Sequence, residues 1–276
     1  MKKLGIIVAL ILVTGAFWGL LRTKPSDTKI EKLVLTGSST IAPLAAEIGK
    51  RFESLHNNVR VDVQTGGSSR GISDARAGLA NIGMASRALK EDEKDLLGFT
   101  IALDGIGVIL NKANPVKALD KQQIIEIYTG KIVNWKAVGG NDAPITVINK
   151  AEGRSTLELF LHYFGLKNTE VKPQVIIGDN QQGIKTVIGN PYAIGYVSIG
   201  TAEYEAGQGA AIKLLPLEGI AASVENVRNR SFPLSRPLNL VTRAEPAGIA
   251  KVFIEFAGSP QVNDLIEAQY FVPVPH

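Results

Sequence analysis

The 276-residue chain contains no cysteine, which excludes disulfides, thiolate metal sites, a cysteine nucleophile and a lipid-modified N-terminal cysteine. Histidine is almost as scarce: His56, His162 and His276 stand far apart and offer no zinc-ligand spacing. Neither a P-loop nor a GxGxxG dinucleotide fingerprint occurs. Glu91, Asp92, Glu93 and Asp95 read as a solvated helix start rather than a metal cage, and no separated carboxylate pair presents itself for acid–base work. No metal or other cofactor is expected. A basic face is missing too. Lysine and arginine number 30 against 26 acids, but Lys2, Lys3, Arg22 and Lys24 all precede the first acid, Asp27. Without those four, 26 bases face 26 acids, so the body of the chain is neutral and a general nucleic-acid binder is excluded.

The excess positive charge flanks an uncharged run, Leu4 to Leu21 (LGIIVALILVTGAFWGLL). A positive start followed by such a run reads as a secretory signal peptide or a retained membrane anchor within residues 1–25. Either predicts a periplasmic or other extracytoplasmic protein. Membrane contact would come through this segment if it stays uncleaved. The remaining ~250 residues suffice for one large domain or two lobes.

Short apolar runs alternate with helical patterns, predicting an α/β protein. Lys32–Leu35 reads as a strand, and Leu44, Ile48, Phe52 and Leu55 as one helix face, with Pro43 suited to the first turn. Val59, Val61 and Val63 alternate as a second strand, followed by a helix face at Ile72, Ala75 and Leu79. Further strands are expected at 101–110, 145–148, 193–197 and 238–242, and a helix face at Leu157, Phe160, Leu161 and Phe164. Residues 205–237 are patterned weakly and read as loop-rich.

Three times a strand runs through a turn rich in hydroxyls into a helix: at Ser38-Ser39-Thr40, at Ser68-Ser69 and at Ser155-Thr156. A helix N-terminus presents unpaired N–H groups and partial positive charge, so converging turns of this kind would surround a small oxyanion. Ser and Thr are also ordinary N-caps, so a single turn carries only a capping signal. Gly67-Ser68-Ser69-Arg70-Gly71 fits GxSxG, which would make Ser69 the nucleophile of a serine hydrolase, although its downstream histidines are awkwardly placed.

At these residues the chain resembles the phosphate-binding proteins that supply high-affinity phosphate ABC transporters. The likeness runs from about residue 33 to residue 275 through TGSSTIAPLA, GGSSRGISDARAGLANIGMASR, IYTGKIVNWKAVGG, NKAEGRST and AIGYV. It implies a type II periplasmic-binding-protein fold: two lobes, a ligand cleft and two crossover strands. Lobe I would hold residues 30–106 and 236–276, and lobe II residues 107–235. The family implies capture of inorganic phosphate without catalysis and delivery to the permease subunits of an ABC importer. Carried over by position, Thr40 is a hydroxyl ligand beside Ser39, Ile41 a backbone donor, Ser68 a ligand of the second turn, and Ser155 and Thr156 ligands of the third. The chain departs from the pattern in four places. Arg154 replaces a ligand serine, and Ser155 replaces a glycine. Lys150 stands where some members have arginine, and Ser86 where the best-studied type has aspartate. Arg87, next to Ser86, is either a ligand or half of a structural ion pair. These departures leave sulfate, molybdate or tungstate open as ligands, and a membrane-held anion sensor open as a role.

Overall fold

The computed structural model describes residues 30–275, so the targeting segment expected at 1–25 lies outside the described residues. Among those described, no helix is long and apolar enough to cross a membrane. The chain opens with β1 (Glu31–Gly37), α1 (Ala42–Leu55), β2 (Val59–Thr65), α2 (Ser68–Ala77) and β3 (Ile82–Ala85). Leu33 and Leu35 alternate into the core from β1, and Leu44, Ile48 and Phe52 line the inward stripe of α1, all fully buried. Two residues expected on these faces fall outside them. Leu55 ends α1 and is 60% exposed, and Leu79 is 74% exposed because α2 stops at Ala77. Gly78 then takes a left-handed φ of 70° and turns the chain away.

The long strand β4 (Leu97–Asn111) leads into α3 (Lys121–Tyr128), β5 (Thr146–Lys150), α4 (Ser155–Phe164), β6 (Val175–Ile177), α5 (Asn180–Gly189), β7 (Ala193–Ser198) and α6 (Ile199–Gly207). The stretch expected to be loop-rich carries more order than its patterning indicates. It contains the end of α6, β8 (Ile212–Leu214), α7 (Val224–Arg228) and the start of β9 (Ser235–Thr242). These elements are only three to nine residues long, too short for a hydrophobic period to declare itself. The chain closes with α8 (Gly248–Ala257), α9 (Asn263–Ala268) and β10 (Val272–Pro273).

The strands follow the order β2-β1-β3-β9-β4-β7-β5-β6, with β8 and β10 also pairing with β4. Parallel pairing of β1 with β3, and of β5 with β6 and β7, is the signature of strand–helix–strand units. The centre of the sheet is antiparallel. Residues Leu97–Gly105 of β4 pair with β9, whereas Ile106–Leu110 pair with β7, so one strand belongs to two halves in turn. Each half has its own core. Leu33, Ile48, Phe52, Leu240 and Phe253 centre the first; Tyr128, Trp135, Phe160 and Tyr196 centre the second, where Phe160 stacks on Tyr196 at 3.8 Å. From Lys32 onward the chain forms one compact unit, so the halves are parts of a single body.

Backbone approach sets where α2 begins. Gly37, with φ 130°, lies against Gly71 of α2. A Cβ on Gly71 would stand 2.7 Å from the carbonyl oxygens of Met84 and Thr36, closer than any relaxed contact. In an open helix Gly→Ala gains about 1 kcal/mol; here the clash reverses the sign. Gly71→Ala is expected to lower stability by about 1–3 kcal/mol, read as a reduced urea midpoint at unchanged m-value.

Candidate functional site

The three hydroxyl-bearing turns meet. α1, α2 and α4 point their N-termini at one small, tightly closed chamber, lined by Ser38, Ser39, Thr40, Gly67, Ser68, Ser86, Lys150, Arg154, Ser155, Thr156, Gly178 and Asn180. No lining residue is acidic. Capping alone does not mark the site, since α8 and α9 also lack a side-chain cap bond and the capped start of α5 lines the chamber through Asn180; the convergence of the three turns does. α3, α5, α6 and α7 are each closed by a side chain, from Asp120, Asp179, Ser198 and Ser223 respectively. α1, α2 and α4 have no side-chain cap bond, their flanking residues being Ile41, Gly67 and Arg154. Ser68, Ser155 and Thr156 stand in the first turns of α2 and α4, while Ser39 and Thr40 precede α1, where the Thr40 and Ile41 N–H groups point at Ser38 Oγ at 3.2 and 3.4 Å.

Eight of the ten residues expected in the site line this chamber: Ser39, Thr40, Ser68, Ser86, Lys150, Arg154, Ser155 and Thr156. Ser155 is 2% exposed, and its Oγ has no hydrogen-bond partner; Arg154 Nε is likewise buried without one. Such groups cost free energy unless something answers them. The other two residues are placed elsewhere. Ile41 buries its side chain in the first core, and its N–H points at Ser38 Oγ, 3.4 Å away. Arg87 is taken up by carboxylates: Nη1 and Nη2 bond Glu93 at 2.6 and 2.7 Å, and Nε lies 3.0 Å from Glu158. The ion-pair alternative therefore describes Arg87, and it does not line the chamber. Burial lowers its pKa, but Glu93 and Glu158 outweigh this and hold it above the ordinary value.

The cation that reaches the chamber hydroxyls is Arg236, which the sequence reading passed over. Its Nη1 donates to Thr156 Oγ1 at 2.9 Å and approaches Ser86 Oγ at 3.4 Å, and its Nη2 approaches Thr40 Oγ1 at 3.4 Å. On its other side Nε and Nη2 donate to Asp104 Oδ2 at 3.0 and 2.8 Å. Asp104 Oδ1 accepts from Ser198 Oγ and the Gly200 N–H, so this carboxylate is fully engaged. A signal existed: Asp104 and Arg236 are lone charges in or beside runs read as apolar strands, and isolated charges of opposite sign call for a partner.

Lys150 ends β5 at 3% exposure and donates from Nζ to Asn180 Oδ1 at 2.9 Å. Burial, with the positive charges of Arg236 and Arg154, pushes its pKa down to about 7 against a smaller opposing effect of Asp179. Asn180 also donates to Thr40 Oγ1 at 3.3 Å, closing the chamber toward a roomier groove of about 400 Å³ beside Thr201, Tyr204 and Phe271. That groove is larger but offers no buried cation, so volume does not identify the anion site. Ser69 lies beyond the chamber lining. Its Oγ donates to Glu158 Oε1 at 3.1 Å, and His162 is exposed on α4, so the geometry gives a Ser69 nucleophile no histidine base from that helix.

A family profile described as a PBP superfamily domain matches residues 22–261. Among curated relatives, the phosphate-binding protein PstS of Bacillus subtilis is 28% identical over 248 residues, covering 88% of this chain and 80% of its own length. A solved Clostridium perfringens chain, named as a phosphate ABC transporter substrate-binding protein with bound phosphate, is 35% identical. The match covers 89% of this chain and all of that one, with a TM-score of 0.82. An ABC-type phosphate transport receptor from Vibrio cholerae is 31% identical at the same coverage, with a TM-score of 0.71. The chain belongs to the PBP superfamily and, within it, to the phosphate ABC transporter substrate-binding proteins.

Proposed function

We propose that this protein is an exported receptor that captures inorganic phosphate in the chamber between its halves and passes it to the permease of an ABC importer. The observation that carries this reading is the convergence of three uncapped helix N-termini and three cationic side chains on a chamber with no acidic lining. The halves correspond to lobes of residues 30–106 with 236–276, and 107–235, and the cleft between them holds the anion. The N-terminal segment directs export.

In this reading Thr40, Ser68, Ser155 and Thr156 supply hydroxyls and first-turn N–H groups, while Lys150, Arg154 and Arg236 supply charge. Ser39 and Ser86 complete the polar wall. Each charge-assisted hydrogen bond contributes roughly 1.5–3 kcal/mol. Lys150, Arg154 and Arg236 against Asp104 leave a net charge of two when Lys150 is protonated, the complement of a dianion. Ser86 can accept a bond from a protonated oxyanion but exerts no charge repulsion on an unprotonated one. Discrimination against sulfate therefore rests on the cost of leaving polar groups unpaired rather than on a repelling carboxylate.

Calorimetric titration with phosphate, sulfate, molybdate and tungstate tests the ligand. Phosphate is expected to bind most tightly, and tight binding of another oxyanion with none of phosphate would reject the assignment. Thr156→Ala removes both a ligand hydroxyl and an acceptor for Arg236, and should weaken phosphate binding by about tenfold or more while the fold is retained.

The pKa of Lys150 adds a proton signature. Without the anion, Lys150 is half deprotonated near pH 7; a bound dianion favours its charged form and raises that pKa. Affinity should therefore be highest with Lys150 protonated and fall as pH rises through and above about 7. At about pH 8, where phosphate is itself mostly dianionic, binding should take up close to one proton, visible as a buffer-dependent enthalpy. Lys150→Arg should abolish this uptake, because arginine stays charged.

A further inference from the structure

Near the chamber the two halves meet through a charge contact that the anion-binding residues do not explain. Glu158 lies in the first turn of α4, two residues after Thr156. Its Oε1 accepts from Ser69 Oγ at 3.1 Å, and its Oε2 lies 3.0 Å from Arg87 Nε and 2.8 Å from Lys90 Nζ. Ser69 and Arg87 immediately follow the chamber residues Ser68 and Ser86. Beside them the Ser69 N–H donates to the carbonyl of Gly153, at the start of the α4 turn. One carboxylate of the second half thus meets three groups of the first, two of them adjacent in sequence to a chamber wall.

The role of Glu158 follows from what Arg87 already has. Both Arg87 Nη atoms bond Glu93, a carboxylate of the same half, and Glu93 is fixed in turn by the Lys90 N–H at 2.9 Å. The buried arginine is therefore neutralised within its own half, and Glu158 is not needed to keep it in the fold. What Glu158 adds is a link across the cleft. A helical turn moves as a unit, so holding Glu158 against Arg87 and Lys90 also holds the donors of Ser155 and Thr156 opposite Ser68 and Ser86. Neither Arg87 Nε nor Glu158 Oε2 completes an aligned hydrogen bond, so their contact acts mainly through charge. The Lys90 side chain is 48% exposed, so added salt screens that arm of the contact, whereas the Arg87 arm is buried and screened less.

We infer that Glu158 is a positioning residue that clasps the two halves over the captured anion through Arg87, Lys90 and Ser69, and so sets how fast the anion leaves. The inference rests on the phosphate reading for its ligand and on the cross-cleft geometry for its mechanism. Glu158 does not line the chamber, and Glu158→Gln keeps its length and an acceptor for Ser69 while deleting the charge.

Stopped-flow measurement of phosphate release and capture on the full chain tests it. Glu158→Gln should raise koff by about tenfold and change kon by less than about twofold, with the difference shrinking in about 1 M salt. An unchanged koff at low salt would overturn the clasp. A second arm needs no ligand. Because the chain has no cysteine, Leu79→Cys with Val133→Cys places two spin labels at exposed positions, one on each half. In phosphate-free protein Glu158→Gln should shift the label distances toward longer values, and identical distributions would overturn the clasp. Failure of the parent protein to bind phosphate would count against the ligand assignment, while the label distances would still decide the clasp.

Discussion

The buried pair of Asp104 and Arg236 is the interaction on which the site depends. The two residues face each other in register on β4 and β9, where the strands meet between the halves, and both are 2% exposed. A buried ion pair is by itself weak evidence of stability, since desolvation can cancel the attraction. This one is satisfied on every side. Ser198 and Gly200 complete the carboxylate, and the guanidinium turns its other edge to Thr40, Ser86 and Thr156. Those hydroxyls come from the N-terminus of α1, the residue after β3 and the N-terminus of α4, which belong to both halves. Removing either charge would strand the other in the interior at about 3–5 kcal/mol and release all three chamber walls together.

Around that pair, three helix N-termini without a side-chain cap bond converge on one chamber. Four helices, α3, α5, α6 and α7, are closed by their own Asp or Ser side chains, as a helix N-terminus ordinarily is, whereas α8 and α9, away from the chamber, are not. The three that converge are preceded by Ile41, Gly67 and Arg154, which leave the first-turn N–H groups without a side-chain cap. Glycine contact between Gly37 and Gly71 brings one of these ends close to β1 and β3. Lys150 and Arg154 then carry charge that Asp104 does not offset, and burial draws the pKa of Lys150 into the range where it can respond to an anion.

Much of this was legible in the sequence because it rests on local pattern. The strand–turn–helix units at Lys32–Leu55 and Val59–Ala77 show in the alternation of apolar residues and in Gly-Ser turns, and both form. Eight of the ten expected site residues line one chamber, six at helix starts and two, Ser86 and Lys150, at strand ends, where position follows from sequence. The remainder depended on long-range contact. Arg236 is 132 residues from Asp104 and 196 from Thr40, a proximity that no window of sequence contains. Arg87 could be assigned only once Glu93 and Glu158 were seen to enclose it. Leu79 fell outside its helix because Gly78 ends α2, a stop signal that outranks hydrophobic spacing.

The most direct measurement is a crystal structure of the phosphate complex. The account predicts phosphate oxygens within hydrogen-bond distance of the Arg236 guanidinium, Lys150 Nζ and the first-turn N–H groups and hydroxyls of α2 and α4, with the Asp104–Arg236 pair intact. Phosphate bound in the groove beside Tyr204 and Phe271, with no contact to Arg236 or to those helix N-termini, would contradict it.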